Sequence, residues 1–279
     1  LGWLWWHGET FQLAQIFNGD AVDGSLVNVQ QAYVSYLAPV GKGLTVDFGK
    51  FVTPVGFELT ESNTNFNYSR SLGYALGAPY YHVGARLSYA PNDKVSLLGL
   101  VVNGWNAAGD NNAGKTVGAS LTLKPNGKTT VVENVLFGPE QTNDTADKRL
   151  LENLNLAYNP TEKVSTGLDY YYAKDTVSKA DVSYQAVALY LRGQVTKVFA
   201  VAPRFEYFDD KDGLASGTAQ KLKELTLTGE FKSAEGVICK VEYRRDYSDT
   251  AVFSKNGAAT KNQNTFSVSM VYAFSSNAK

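Results

Sequence analysis

Three groups of residues have the types and spacing to do chemistry. Gly109-Asp110-Asn111-Asn112-Ala113-Gly114-Lys115-Thr116 spells the phosphate-loop pattern letter for letter. That chemistry needs a strand before the loop and a helix after it, so that helix N–H groups face the phosphates. Here Thr116 opens an alternating stretch instead, and the letters read as a Gly/Asn loop between two strands. His82 with Ser69, Ser71 or Ser88 offers a base and a nucleophile. Hydrolysis by such a pair needs the serine, the histidine and an orienting Asn or Asp within hydrogen-bond reach. A histidine that lines a cavity or anchors a loop is the competing reading. The third group is a set of charges in the middle of alternating stretches: Asp47, Arg86, Asp169, Arg204, Glu206, Glu224, Glu230, Lys240, Glu242 and Arg244. Their work is electrostatic, because opposed charges across a water-filled passage select by size and sign.

Composition removes other chemistries. Two histidines and one cysteine, Cys239, are little material for a zinc site, and one cysteine makes no internal disulfide. No metal, cofactor or catalytic residue is expected. A net charge of −1 gives no basic field for nucleic acid. Asn67-Tyr68-Ser69 and Asn143-Asp144-Thr145 match the glycosylation acceptor pattern, a short and frequent one. Mean hydropathy is −0.23, and no run approaches the roughly 18 apolar residues of a membrane helix. A β-barrel escapes that exclusion, since only alternate residues of its strands face lipid. The chain starts at Leu1 with no visible signal peptide, and reads as processed or as a fragment.

The elements that position these residues are strands. Between Tyr80 and Trp105, Tyr81, Val83, Ala85, Leu87 and Tyr89 share one face, while His82, Gly84, Arg86 and Ser88 share the other. Pro91-Asn92-Asp93-Lys94 turns, Val95 to Val102 returns, and a longer polar loop follows. This unit recurs to Phe274. Long loops are expected at 103–115, 138–148, 174–181, 209–219 and 248–264, with short turns between them. Counting Glu9 to Phe17, the pattern predicts about 14 strands, all in one domain, 1–279. Pro203 falls inside a strand and predicts a bulge, since it cannot donate a ladder bond. Aromatics gather near strand ends, as interfacial girdles require.

A soluble sandwich could also show alternation. The persistence of period two without helices, and the split into short turns and long loops, favour a transmembrane antiparallel up-and-down β-barrel with a polar lumen. The irregular stretch 52–79, with Glu58, Glu61 and Arg70, is expected to fold inward. It would set Arg70 against Asp47, Arg86, Arg204, Glu206, Glu242 and Arg244, with His82 and Asp169 on the same lumen face. Cys239 falls on the apolar face, packed or lipid-facing.

Gln31-Ala32-Tyr33-Val34, Asp47-Phe48-Gly49-Lys50-Phe51 with Pro54 and Gly56, Asn67-Tyr68-Ser69-Arg70-Ser71 and Pro79-Tyr80-Tyr81-His82-Val83-Gly84 resemble, in order, the OmpL-like β-barrel porin family of Gram-negative outer membranes. Val102-Asn103-Gly104-Trp105, Gly138-Pro139-Glu140, Pro203 to Phe208, Glu242-Tyr243-Arg244 and Val271 to Phe274 continue the match. The resemblance spans about residues 27 to 274 and implies a diffusion channel in the bacterial outer membrane. Relatives carry strands ahead of Gln31, so an intact barrel of about 16 strands is the alternative count. Ser275 to Lys279 also extend past the family's usual aromatic end.

The sequence therefore predicts a non-enzymatic porin passing ions and small hydrophilic solutes, embedded in outer-membrane lipid. Its pore-lining set is Asp47, Arg70, His82, Arg86, Asp169, Arg204, Glu206, Glu242 and Arg244. The alternatives are a plugged structural or adhesion barrel and a lipid hydrolase using His82. A homo-oligomer is left open, because trimers are common among porins but no residue argues for one.

Overall fold

The computed structural model describes residues 29–233 and 236–272. The period-two stretches become β1 (Ala32–Ala38), β2 (Leu44–Val52), β3 (Tyr81–Asn92), β4 (Val95–Val102), β5 (Thr116–Asn126), β6 (Thr129–Gly138) and β7 (Arg149–Thr161). They continue as β8 (Val164–Val177), β9 (Ala180–Gln194), β10 (Phe199–Asp210), β11 (Gln220–Lys232) and β12 (Val237–Ser248). A small hairpin, β13 (Phe253–Lys255) and β14 (Ala258–Thr260), precedes β15 (Asn262–Tyr272). One 13-stranded sheet runs β1 to β12 and then β15, each strand beside its neighbour in sequence. Every pairing is antiparallel, as short connections require. The candidate strand Glu9 to Phe17 lies outside the described residues.

Three details differ from the sequence expectation. The loop expected at 174–181 is a two-residue turn, because β8 and β9 keep pairing out to Val177 and Ala180. Ser178 and Lys179 both adopt positive φ, 52° and 69°, the geometry that joins twisted strands tightly. Pro203 makes no bulge. It faces Leu227 of β11 in an unbroken register, and the β9 side passes from Val201–Gly193 to Arg204–Tyr190 without a shift. The missing donor costs rungs on one side only. The loop expected at 248–264 contains the β13–β14 hairpin.

Cross-strand partners share a face. A register line runs from Asp47 through Arg86, Leu100, Gly118, Leu136, Leu151 and Ala173 to Tyr184. Arg204, Glu206, Glu224 and Glu242 lie on that same face. The opposite face shows Phe48, Val101, Leu189, Leu225 and Val268 to the outside, with Val268 70% exposed. Apolar alternate residues with no protein over them suit contact with lipid. On the first face the segment between β2 and β3 touches β7 through β12, so the sheet curls round it. Val55, Leu72 and Ala78 of that segment join wall residues Phe51, Leu100, Leu136, Leu151 and Phe208 in one apolar cluster inside the curl.

Candidate functional site

The segment 53–80 is rich in Asn, Ser and Gly, which supply backbone amides without bulk. It ends in a helix, α1 (Leu72–Gly77), that the period-two reading missed. Ser71 caps it, its hydroxyl accepting the Tyr74 N–H at 3.0 Å. Two N–H groups left over at the helix start are satisfied from the wall: Leu72 and Gly73 each donate to the carboxylate of Glu206 at 2.5 Å.

The same pairing recurs along the segment. Glu242 accepts the N–H groups of Tyr68 at 2.8 Å and Ser69 at 3.0 Å. Asp169 accepts the Phe57 N–H at 2.9 Å, and Asn153 accepts that of Gly56 at 2.9 Å. Cationic and amide groups of the loop–wall contact take the carbonyls. Lys240 Nζ donates to Ser62 O at 3.0 Å and Asn65 O at 2.5 Å. Asn67 Nδ2 of the loop donates to Ala202 O at 2.9 Å. Strand acids thus hold loop N–H groups, and a strand lysine holds loop carbonyls.

Arg204 is the hub. Its guanidinium is 0% exposed and bridges loop and wall, with Nε 2.7 Å from Glu224 and Nη1 2.8 Å from Glu58. Nη1 also donates to Ser69 O at 2.7 Å. A buried charge is costly unless it is paired and hydrogen-bonded, and Arg204 is both. Close packing backs the polar contacts. A Cβ at Gly167 of β8 would overlap the Phe57 ring, and one at Gly73 would sit 2.7 Å from the Tyr171 ring. The Tyr184 hydroxyl donates to Gly77 O at 2.6 Å.

The residues singled out from sequence fall into two sets. Asp169, Arg204, Glu206 and Glu242 meet the loop directly, and Arg244 reaches it by donating to Arg70 O at 2.5 Å. The Arg70 side chain itself turns back into its own loop, donating to Thr60 O at 2.6 Å and Tyr68 O at 2.7 Å. Asp47 and Arg86 form a separate pair at 2.7 Å on β2 and β3, with Ser35 donating to Asp47 and Arg86 4.5 Å over the Phe51 ring. His82 is fully buried, its ring nitrogens 3.1 Å from Thr53 Oγ1 and 3.0 Å from Gly104 O. Both nitrogens are committed to anchoring, so the serine that hydrolysis needs is not its partner. Thr116 opens β5 with no helix after it, and Lys115 pairs with Asp110.

Sequence reasoning named Glu58 only as a loop charge and Asn67 only within motif letters, and did not single out Asn153. Each contact joins residues far apart in the chain, and no local spacing announces which amide meets which carboxylate.

On the other side of the loop a cavity of about 560 Å³ lies against β1–β6, toward the short turns. Thr45, Ser88, Ser120 and Thr122 give it hydroxyls, Leu98 and Val132 give it apolar surface, and Lys42 is its one charged lining residue. Pro54 of the loop borders it.

A family model described as "Putative beta-barrel porin-2, OmpL-like" matches residues 7–274. No curated protein matches the chain. Among solved structures, the anion-selective porin of Comamonas acidovorans is similar with a TM-score of 0.64 at 12% identity, over 87% of this chain and 77% of that one. The outer membrane channel DcaP of Acinetobacter baumannii gives a TM-score of 0.57 at 10% identity, over 82% and 73%. OmpT of Vibrio cholerae, an outer-membrane protein, gives 0.55 at 17% identity, over 81% and 75%. At these identities the likeness is one of fold.

Proposed function

The chain belongs to the OmpL-like β-barrel porin family of the bacterial outer membrane, and from that premise we propose that it is a passive, non-enzymatic channel for ions and small hydrophilic solutes. The route runs between the pinned loop and the β1–β6 wall. The loop narrows it, and the strand charges act mainly by fixing the loop's position. Arg204, Glu206, Glu242, Asp169, Arg244 and Arg70 therefore define the constriction from behind, while Asp47 and Arg86 border it from β2 and β3 and the buried His82 anchors Thr53 of the loop beside them. The observation that carries this reading is the hydroxyl-lined cavity on the β1–β6 wall, which Pro54 of the loop borders. Outer-membrane lipid covers the apolar band.

Liposome swelling with neutral sugars of graded size tests it. Swelling with the smallest sugars that falls off with size is expected. No swelling with any sugar or salt, from a protein shown to be folded, overturns it.

One observation favours a second reading. The apolar cluster that joins Leu72 and Val55 to Leu100, Leu136 and Phe208 spans the inside of the curl. If that cluster seals the lumen, the protein is a plugged structural or adhesion barrel. It would then show no swelling and no ion conductance.

A further inference from the structure

Four Arg–carboxylate pairs lie on the inward face, three of them outside the loop's direct grip, and they share an asymmetry. In Arg86–Asp47 the side chains are 17% and 6% exposed. In Arg149–Asp175 they are 20% and 1%. In Arg192–Glu230 they are 21% and 8%, and in Arg244–Asp246 14% and 2%. Each pair is formally neutral, yet in each the arginine side chain is more exposed than its carboxylate. Arg86–Asp47, on β2–β3, borders the proposed route, and the others, on β7–β8, β9–β11 and β12, lie further round the lumen.

By formal count the inward face is acidic, because Asp169, Glu206, Asp210 and Glu242 have no ion pair among the described residues. Those four are at most 2% exposed. Each is occupied by loop N–H groups: Phe57 on Asp169, Leu72 and Gly73 on Glu206, Ala215 and Ser216 on Asp210, Tyr68 and Ser69 on Glu242. Donors aimed at a carboxylate offset its charge locally, and mobile ions screen what remains within about 3–10 Å at working salt. A permeating ion therefore meets the partly exposed arginine side chains before the buried carboxylates.

We infer that the passage prefers anions, and that its solutes are small carboxylate- or phosphate-bearing molecules in preference to cations. This rests on the reading of the protein as an open channel. For a guanidinium about 7 Å from the ion and its carboxylate about 10 Å away, in water-like dielectric, Coulomb's law gives roughly a twofold preference for chloride over potassium per pair. Few pairs lie that close to an ion at once, so an overall preference of roughly two- to fivefold is expected.

The test is the reversal potential of the reconstituted full chain in a planar bilayer under a KCl gradient. Chloride preference that falls in Arg86→Gln and Arg192→Gln, and persists in Arg86→Lys, supports the inference. Potassium preference in the wild type overturns it and favours the formal count. An unchanged ratio in both glutamine variants also overturns it. Should those variants fail to fold, the wild type treated with phenylglyoxal, which caps accessible arginines, must lose its chloride preference. A folded barrel with no conductance at all refutes the channel reading itself, which is a separate result.

Discussion

Glu206→Ala isolates one fastening of the loop. The wild-type carboxylate accepts the Leu72 and Gly73 N–H groups at 2.5 Å each and is 0% exposed. A hydrogen bond to a charged group contributes about 1.5–3 kcal/mol. Two of them set a gross value of about 3–6 kcal/mol. Alanine leaves a space that water can enter to solvate the freed N–H groups, so the net local loss is about 2–4 kcal/mol. The wall strand keeps its ladder, because Glu206 faces Glu224 on β11 and Ala188 on β9 through backbone bonds that the change leaves intact. The effect therefore belongs to local opening of the start of α1 and not to global unfolding. At about 1.4 kcal/mol per decade, exchange of the Leu72 and Gly73 amides should speed up roughly 30- to 1,000-fold. Hydrogen exchange read by mass spectrometry on protein in bilayer discs reports this, with β4–β6 peptides as the internal control. Unchanged protection at Leu72 and Gly73 refutes the account of how the loop is held. Loosening of β10 with no change at the helix refutes it as well.

Other perturbations test separate links. Gly167→Val puts a side chain where the Phe57 ring lies, and should cost about 1–3 kcal/mol in urea unfolding. Adding Phe57→Ala should recover part of that cost, and additive losses would show that the two sites do not touch. Leu227→Arg places a charge on the outward face, where Leu227 is 51% exposed, and should cost about 2–4 kcal/mol in refolding into vesicles if lipid covers it near the midplane. A neutral result would mean that this face meets water. Glu140, in the loop after β6, has its carboxyl pushed above the usual range by burial, against the lowering effect of the Thr116 hydroxyl and the Trp105 N–H. A carboxyl raised on folding contributes stability that is complete below the ordinary glutamate value of 4.5 and is lost as pH rises through its folded value. Glu140→Gln should therefore flatten the fall in thermal stability between acid and neutral pH, and identical pH profiles would contradict that burial.

The strands were legible because half-buried sheets write a period of two into the chain, as in Phe266, Val268, Met270 and Tyr272 of β15, all exposed on one face. The side of each charge was legible for the same reason, since Arg204 and Glu206 alternate with Phe205 and Tyr207. The α1 helix was not, because Leu72–Gly77 is too short to show a helical period and its N-terminus is held by Glu206 from a distant strand. The extended β8–β9 hairpin was hidden by its polar tip, where Lys174 and Asp181 pair at 2.7 Å across strands that look like loop in sequence. Arg70 drew notice as the cation among the charges of the long loop. Its role as an internal brace to Thr60 and Tyr68, with its carbonyl serving Arg244, depends on how the loop folds back on itself.

The most direct test of the central claim, a water-filled passage narrowed by the pinned loop, is single-channel conductance of the wild type beside a variant lacking Ser62 to Ser71. The deletion removes the carbonyls that Lys240 grips and the Ser69 contact to Arg204. The account predicts stable open steps from the wild type and larger steps from the deletion. Equal conductance from both would place the constriction elsewhere, and silence from both in a folded state would contradict the channel.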